Sequence, residues 1–141
     1  MDEPLTEELL DELLSSPSPQ AFLDKHEPGE RVLAQYLQEL LSVHNLKRKD
    51  VVHAAQINET YGYLIFRGDR AHPSRDILLQ LSFAMGLSLR ETNRLLQAGN
   101  VSSLYCKNRR DAILIFCIDH ELSLAKTNET LFDFGEAVLG D

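Results

Sequence analysis

Residues 46–76 read LKRKDVVHAAQINETYGYLIFRGDRAHPSRD. Lys47 to Ala55 has helical spacing, with Val51, Val52 and Ala55 on one side. Asn58 then offers a side-chain oxygen to the free amides of a new first turn. Gly68 supplies a stop, and Pro73 with Ser74 supplies a restart. The spacing predicts two short helices joined by a tight turn, followed by a third helix, which is the order of a helix-turn-helix.

Working outward, the same period continues on both sides. Leu33, Tyr36, Leu37, Leu40 and Leu41 make one face of a helix running from Arg31 to near Asn45. After Ser74, some combination of Leu78, Leu81, Phe83 and Met85 supplies the buried positions of the next. Ser88 and Glu91 have the spacing of a capping box, which opens a helix with Leu89, Leu95 and Leu96 inside. No segment alternates with period two, so the expected fold class is all-α.

A repeat extends the pattern. Arg75, Asp76, Leu87, Ser88, Leu89, Thr92, Asn93 and Leu96 return 35 residues later as Arg110, Asp111, Leu122, Ser123, Leu124, Thr127, Asn128 and Leu131. Each copy reads as a helical hairpin, and two copies are too few for a solenoid. The expected organisation is an acidic helical arm over 1–30, a helix-turn-helix domain over 31–99 and a C-terminal helical hairpin over 100–141 that repeats 75–99 and packs on the core. Arg75 and Arg110, each followed by Asp, read as structural rather than as DNA contacts, because both fall at helix starts, where Asp favours the dipole and Arg can bridge carboxylates.

Charge divides the chain sharply. The net charge is -8 over 141 residues. Residues 1–30 hold nine acids against Lys25, and residues 31–99 hold nine bases against six acids. The acidity therefore belongs to the arm, while the helix-turn-helix region is mildly basic. In the arm, Leu5, Leu9, Leu10, Leu13 and Leu14 recur at helical spacing until the Ser-Pro-Ser-Pro of 16–19. A second piece follows with Ala21, Phe22 and Leu23, ended by Pro28 and Gly29.

Several classes are not supported. There is no apolar run near the roughly 20 residues needed to span a bilayer, and the N-terminus lacks the basic and apolar order of a secretory signal. A cytoplasmic location with no membrane contact is expected. Cys117, inside an apolar run, reads as a core residue, and Cys106 as a second reduced thiol. There is no Gly-rich phosphate loop, no serine-hydrolase elbow and no metal motif. His26, His44, His53, His72 and His120 are scattered, His53 as a packed or half-exposed residue and His72 as a loop residue. Neither an enzyme nor a cofactor is expected.

Residues 33–96 resemble the phage-repressor-like, Xre-type family of bacterial transcriptional regulators. The resemblance lies in helix order and in the phrase Ile65-Phe66-Arg67-Gly68-Asp69-Arg70, then Pro73-Ser74. It continues through Leu78-Leu79-Gln80-Leu81-Ser82-Phe83-Ala84-Met85-Gly86-Leu87-Ser88. It implies a five-helix core and a sequence-specific contact with double-stranded DNA. Carried over by position, Arg48, flanked by Lys47 and Lys49, would meet the phosphate backbone. Asn58, Glu59, Thr60 and Tyr63 would take the outward positions of the recognition helix: Asn suits adenine, Thr a thymine methyl, and Tyr a phosphate. Arg67 and Arg70 would be backbone contacts from the following loop.

The departures matter as much. Gln56 stands at the family's turn glycine. Gly62 replaces a buried aliphatic at a cost of roughly 1 kcal/mol in helix propensity, with Tyr61 and Tyr63 expected to pack over the gap. Glu59 repels phosphate. Lys47, Arg48 and Lys49 also suit a plain solvated helix start. The leading expectation is a dimeric DNA-binding transcription regulator on a palindromic site, with the acidic arm covering part of the domain or opposing DNA. The alternative is a degenerate helix-turn-helix that binds proteins, as an adaptor or antitoxin-like module, through the arm or the C-terminal hairpin.

Overall fold

Helix starts in this chain are fixed by side chains that complete the backbone's hydrogen bonding. Asn58, Ser74, Ser88, Asn108 and Ser123 each accept from an amide three residues on, which satisfies one of the orphan donors of a first turn. Ser88 and Glu91 close a reciprocal capping box. The computed structural model describes residues 6–19 and 32–140. Its helices are α1 (Thr6–Ser15), α2 (Val32–Val43), α3 (Arg48–Ala54), α4 (Glu59–Arg67), α5 (Arg75–Met85), α6 (Leu89–Ala98), α7 (Arg109–Asp119) and α8 (Leu124–Asp133). There is no strand among the described residues, so the fold is all-α. The second apolar piece of the arm, with Ala21, Phe22 and Leu23, lies outside the described residues.

The stops are less conventional than the starts. Asn45, Gln56, Asn100 and Glu121 all take positive φ, between 53° and 61°. Each follows a helix and lets the next amide reach back across the last turn, as Ile57 N does to Val52 O at 3.3 Å and Leu122 N to Cys117 O at 3.0 Å. Gln56 therefore makes its turn in the left-handed conformation that glycine adopts freely, at about 1 kcal/mol of strain.

One apolar cluster holds α2 to α8 together. Leu33, Tyr36, Leu37, Leu40 and Leu41 of α2, Val51 and Val52 of α3, and Ile65 and Phe66 of α4 are buried in it. So are Leu78, Leu79, Leu81 and Met85 of α5, Leu95 and Leu96 of α6, and Leu114, Leu124 and Leu131 of the last hairpin. Phe83 is only half-buried, and its expected place is taken by Leu79 with the buried polar residues Gln80 and Ser82. Cys117 is fully buried and Cys106 exposed, both as free thiols.

Gly62 changes the expected packing. A Cβ at this position would lie 2.6 Å from Val52 Cγ1 and 2.8 Å from Cγ2. There is no gap for Tyr61 and Tyr63 to cover, because Val52 fills the space and the backbones of α3 and α4 come close. The helix-propensity cost stands, but the missing side chain is what allows the pair to pack.

The two copies of the repeat meet reciprocally. Arg75 of the first copy grips Asp111 of the second, and Arg110 of the second grips Asp76 of the first. The helix contacts are exchanged in the same way, α5 with α8 and α6 with α7. Internal bonds repeat as well: Arg75 Nε donates to Ser102 O and Arg110 Nε to Ala137 O, each 27 residues on. Asn93 Oδ1 accepts from Leu104 N and Asn128 Oδ1 from Leu139 N, each 11 residues on. Exchange of equivalent contacts is the mark of a local two-fold axis, so α5 to α8 form a four-helix unit with internal two-fold symmetry. That unit supports α2, α3 and α4.

Candidate functional site

The short pair α3 and α4 presents its outer face to solvent because its apolar residues are spent inward. Val51, Val52 and Ala55 face the cluster from α3 and its end, as do Ile65 and Phe66 from α4. What remains outside is polar. Lys47, Arg48, Lys49, Asn58, Glu59, Thr60, Tyr63, Arg67 and Arg70 are all exposed.

A groove of about 670 Å³ runs across this face. It brings together Arg48 and Lys49 from α3 with Glu59, Thr60 and Tyr63 from α4. Asp50, Val52, His53 and Ile57 complete its walls. Asp50 and Ile57 carry no motif and were not legible as site residues. His53 is exposed there rather than packed. Four sequence-predicted residues lie outside the groove. Lys47 is the N-cap position of α3 and makes no capping bond with its side chain. Arg67 is the last residue of α4 rather than part of a loop, and Arg70 stands beyond it.

Asn58 has a different occupation. Its Oδ1 accepts from Tyr61 N at 3.0 Å to cap α4, and its side chain borders a second, smaller cavity with Gln80 and Asp76. A two-point contact with adenine through both amide atoms would compete with that cap.

Tyr63 joins the two helices electrostatically. The Arg48 guanidinium lies 4.4 Å from its ring centroid and that of Arg67 lies 5.5 Å away. The negative face of an aromatic ring attracts such cations. Arg67 also hydrogen-bonds to Tyr63 and pairs with Asp69 at 2.8 Å, and these two partners, in that order, raise its pKa further above its ordinary value. The ring therefore orders two guanidinium groups from different helices on one exposed surface.

Elsewhere some cations are paired, while Arg90 and Lys107 are exposed and have no carboxylate partner among the described residues. Arg75 and Arg110 are bound in the crossed pairs, Arg109 lies 3.9 Å from Glu136, and Lys126 lies 3.5 Å from Glu129. Among the described residues, no carboxylate comes within ion-pair distance of Lys47, Arg48, Lys49 or Arg70. No group of three or more metal-ligating side chains occurs among the described residues, and no helix there is long and apolar enough to cross a membrane. Compared with known proteins, the chain matches no family model, no curated protein and no solved structure.

Proposed function

We propose that this protein is a sequence-specific DNA-binding regulator of helix-turn-helix type, with α3 and α4 as the turn-linked pair and α2, α5 and α6 completing a five-helix core. The observation that carries the reading is the clustering of Lys47, Arg48, Lys49 and Arg70, exposed and without carboxylate partners among the described residues, around the two short helices. Exposed cations grouped around a helix of the right size are what a phosphate backbone requires. With side chains α4 is roughly 10–12 Å across, which the roughly 12 Å width of the DNA major groove admits, and its nine residues run about 13 Å along it. Thr60 and Tyr63 would face the bases, Arg48 and Lys49 one strand's phosphates, and Arg67 and Arg70 the other's. A dimer would place two such helices one helical turn apart on a palindromic site.

Salt dependence of binding to labelled mixed-sequence duplex DNA tests this. Affinity should fall steeply as salt rises, and Arg48→Glu with Lys49→Glu should reduce the slope of log K against log salt by about two, one per lost phosphate contact. Failure to retain DNA even at low salt would overturn the reading.

A protein-binding module without DNA contact is the second reading, and one observation favours it. Phe116, Phe132 and Phe134, all on the last hairpin, are 54%, 75% and 56% exposed, a concentration of large aromatics in one element that suits an aromatic-seeking partner. In that case charge reversal on α3 leaves function intact, while Phe132→Ser abolishes partner capture.

A further inference from the structure

Two exposed apolar surfaces, one on a basic face and one on an acidic helix, occur in this one chain. The first is the groove between α3 and α4, lined by the apolar Val52, Ile57 and Tyr63, the cations Arg48 and Lys49 and the carboxylates Asp50 and Glu59. On the same face Lys47, Arg67 and Arg70 are also exposed and Asp69 is the further acid, five cations against three carboxylates. The second is α1. Leu10, Leu13 and Leu14 lie on one side of that helix at 53%, 41% and 74% exposure, within an arm that carries nine acids against one base. An apolar stripe on a strongly acidic helix is the chemical complement of an apolar groove set in a face of net positive charge.

We propose that α1 docks into the groove between α3 and α4 of its own chain. Its leucines would cover Val52, Ile57 and Tyr63, and the arm's carboxylates would neutralise Arg48 and Lys49. The tether permits it. Sixteen residues separate Ser15 from Val32, a reach of up to roughly 50 Å, against a radius of gyration of about 13 Å for a domain of this size. Attachment also favours the chain's own arm over a second copy's, because a short linker holds it at an effective concentration of about a millimolar. The groove is thus a site for an acidic amphipathic helix. Competition between the arm and DNA rests on the function proposed above, whereas docking does not.

The experiment uses the full chain with Cys106→Ser and Pro17→Cys, a nitroxide on the new thiol, and ¹⁵N labelling. Cys117 is fully buried and escapes the label. Docking predicts paramagnetic broadening of the Ile57, Thr60 and Tyr63 amides at low salt. The broadening should vanish in high salt and in the Leu13→Asp, Leu14→Asp variant, whose far-UV circular dichroism checks that the domain remains folded. Undiminished amides in the labelled chain at low salt would overturn the proposal. So would broadening seen only between ¹⁴N-labelled nitroxide chains and ¹⁵N chains without nitroxide, which would place the arm on a second copy. In a separate titration with duplex DNA, the Leu13→Asp, Leu14→Asp variant should bind about fivefold more tightly or better. Broadening without any DNA binding would overturn the DNA reading and leave docking in place; DNA binding without broadening would do the reverse.

Discussion

Arg75 holds Asp111 in a two-point grip, Nη1 to Oδ1 and Nη2 to Oδ2 at 2.8 Å each. Its symmetry mate, Arg110 on Asp76, has the same form at 2.9 and 3.0 Å. The environments differ, however. The Asp111 side chain is 7% exposed and that of Asp76 is 36%. Removing a partner from a buried carboxylate leaves a charge without compensation, whereas water can replace it at a half-open one. Arg75→Ala should therefore cost about 3–5 kcal/mol, and Arg110→Ala about 1 kcal/mol. Urea denaturation of the two variants measures the difference. Equal losses would mean that the two-fold symmetry extends to the energetics.

Acid should unfold the protein through two identifiable carboxylates. Burial opposes ionisation of Asp111, but Arg75 and the Tyr105 N–H outweigh it and hold its pKa below the ordinary value. Burial likewise opposes ionisation of Glu91, outweighed by the Ser88 N–H and by His44, 2.7 Å away. A carboxyl group whose pKa is depressed on folding contributes stability above its unfolded pKa, about 3.9 for Asp and 4.3 for Glu. That contribution is lost as pH falls through the folded value. From these two groups stability should stay level from neutral pH to about pH 5 and decline below about pH 4. Arg75→Ala should flatten the decline. Stability that increases on acidification below pH 4 would show that other groups dominate.

The contact between Gly62 and Val52 predicts an unusual double-mutant result. Gly62→Ala should improve helix propensity by about 1 kcal/mol, yet its methyl would meet Val52 Cγ1 at 2.6 Å. Val52 is β-branched and 5% exposed, so it has little freedom to yield. The single variant should lose about 1–3 kcal/mol through overpacking. Combined with Val52→Ala, the same change should cost less than it does alone, because the obstructing methyls are gone. Thermal denaturation of all four chains measures this coupling. Simple additivity would show that the helices move apart freely.

The helices α4, α5, α6 and α8 were legible in the sequence because their starts are local chemistry: Asn58, Ser74, Ser88 and Ser123 can be read as caps without knowing the fold. The helices α2 and α3 were legible from apolar spacing, and α7 from the repeat of Arg75-Asp76 at Arg110-Asp111. The stops were harder. Gly68 and Gly86 announce themselves, and Asn45 and Asn100 are of a type that tolerates the left-handed conformation, but Gln56 and Glu121 end helices in it with side chains that do not advertise it. The repeat itself shows this hidden equivalence, since Glu121 at φ 54° stands where the first copy has Gly86 at φ 66°. The repeat was legible, and so was the bridging role of its arginines. That each arginine binds the other copy's aspartate was not, since sequence spacing fits contacts within a copy as well as between copies. At the candidate site, the cations could be read from charge, but their ordering by Tyr63 depends on the approach of α3 to α4, which Gly62 permits only in three dimensions.

Tyr63 offers a test of ordering as distinct from charge. Its ring lies under Arg48 from one helix and near Arg67 from the other. Tyr63→Phe keeps the aromatic face and loses the hydrogen bond to Arg67, while Tyr63→Ala loses both. As the ring is 39% exposed and the cations above it face solvent, Tyr63→Ala should lower stability only modestly. If the face binds DNA, the phosphate-directed charges are unchanged in number but less well ordered. Affinity should then fall with the salt slope nearly intact, in contrast to charge reversal at Arg48 and Lys49. Tyr63→Phe should retain most of the affinity lost in Tyr63→Ala. Equal affinity for wild type and Tyr63→Ala would show that the two guanidinium groups need no ordering by the ring; a slope reduced as far as in the charge-reversed variant would show that Tyr63 itself carries a phosphate contact.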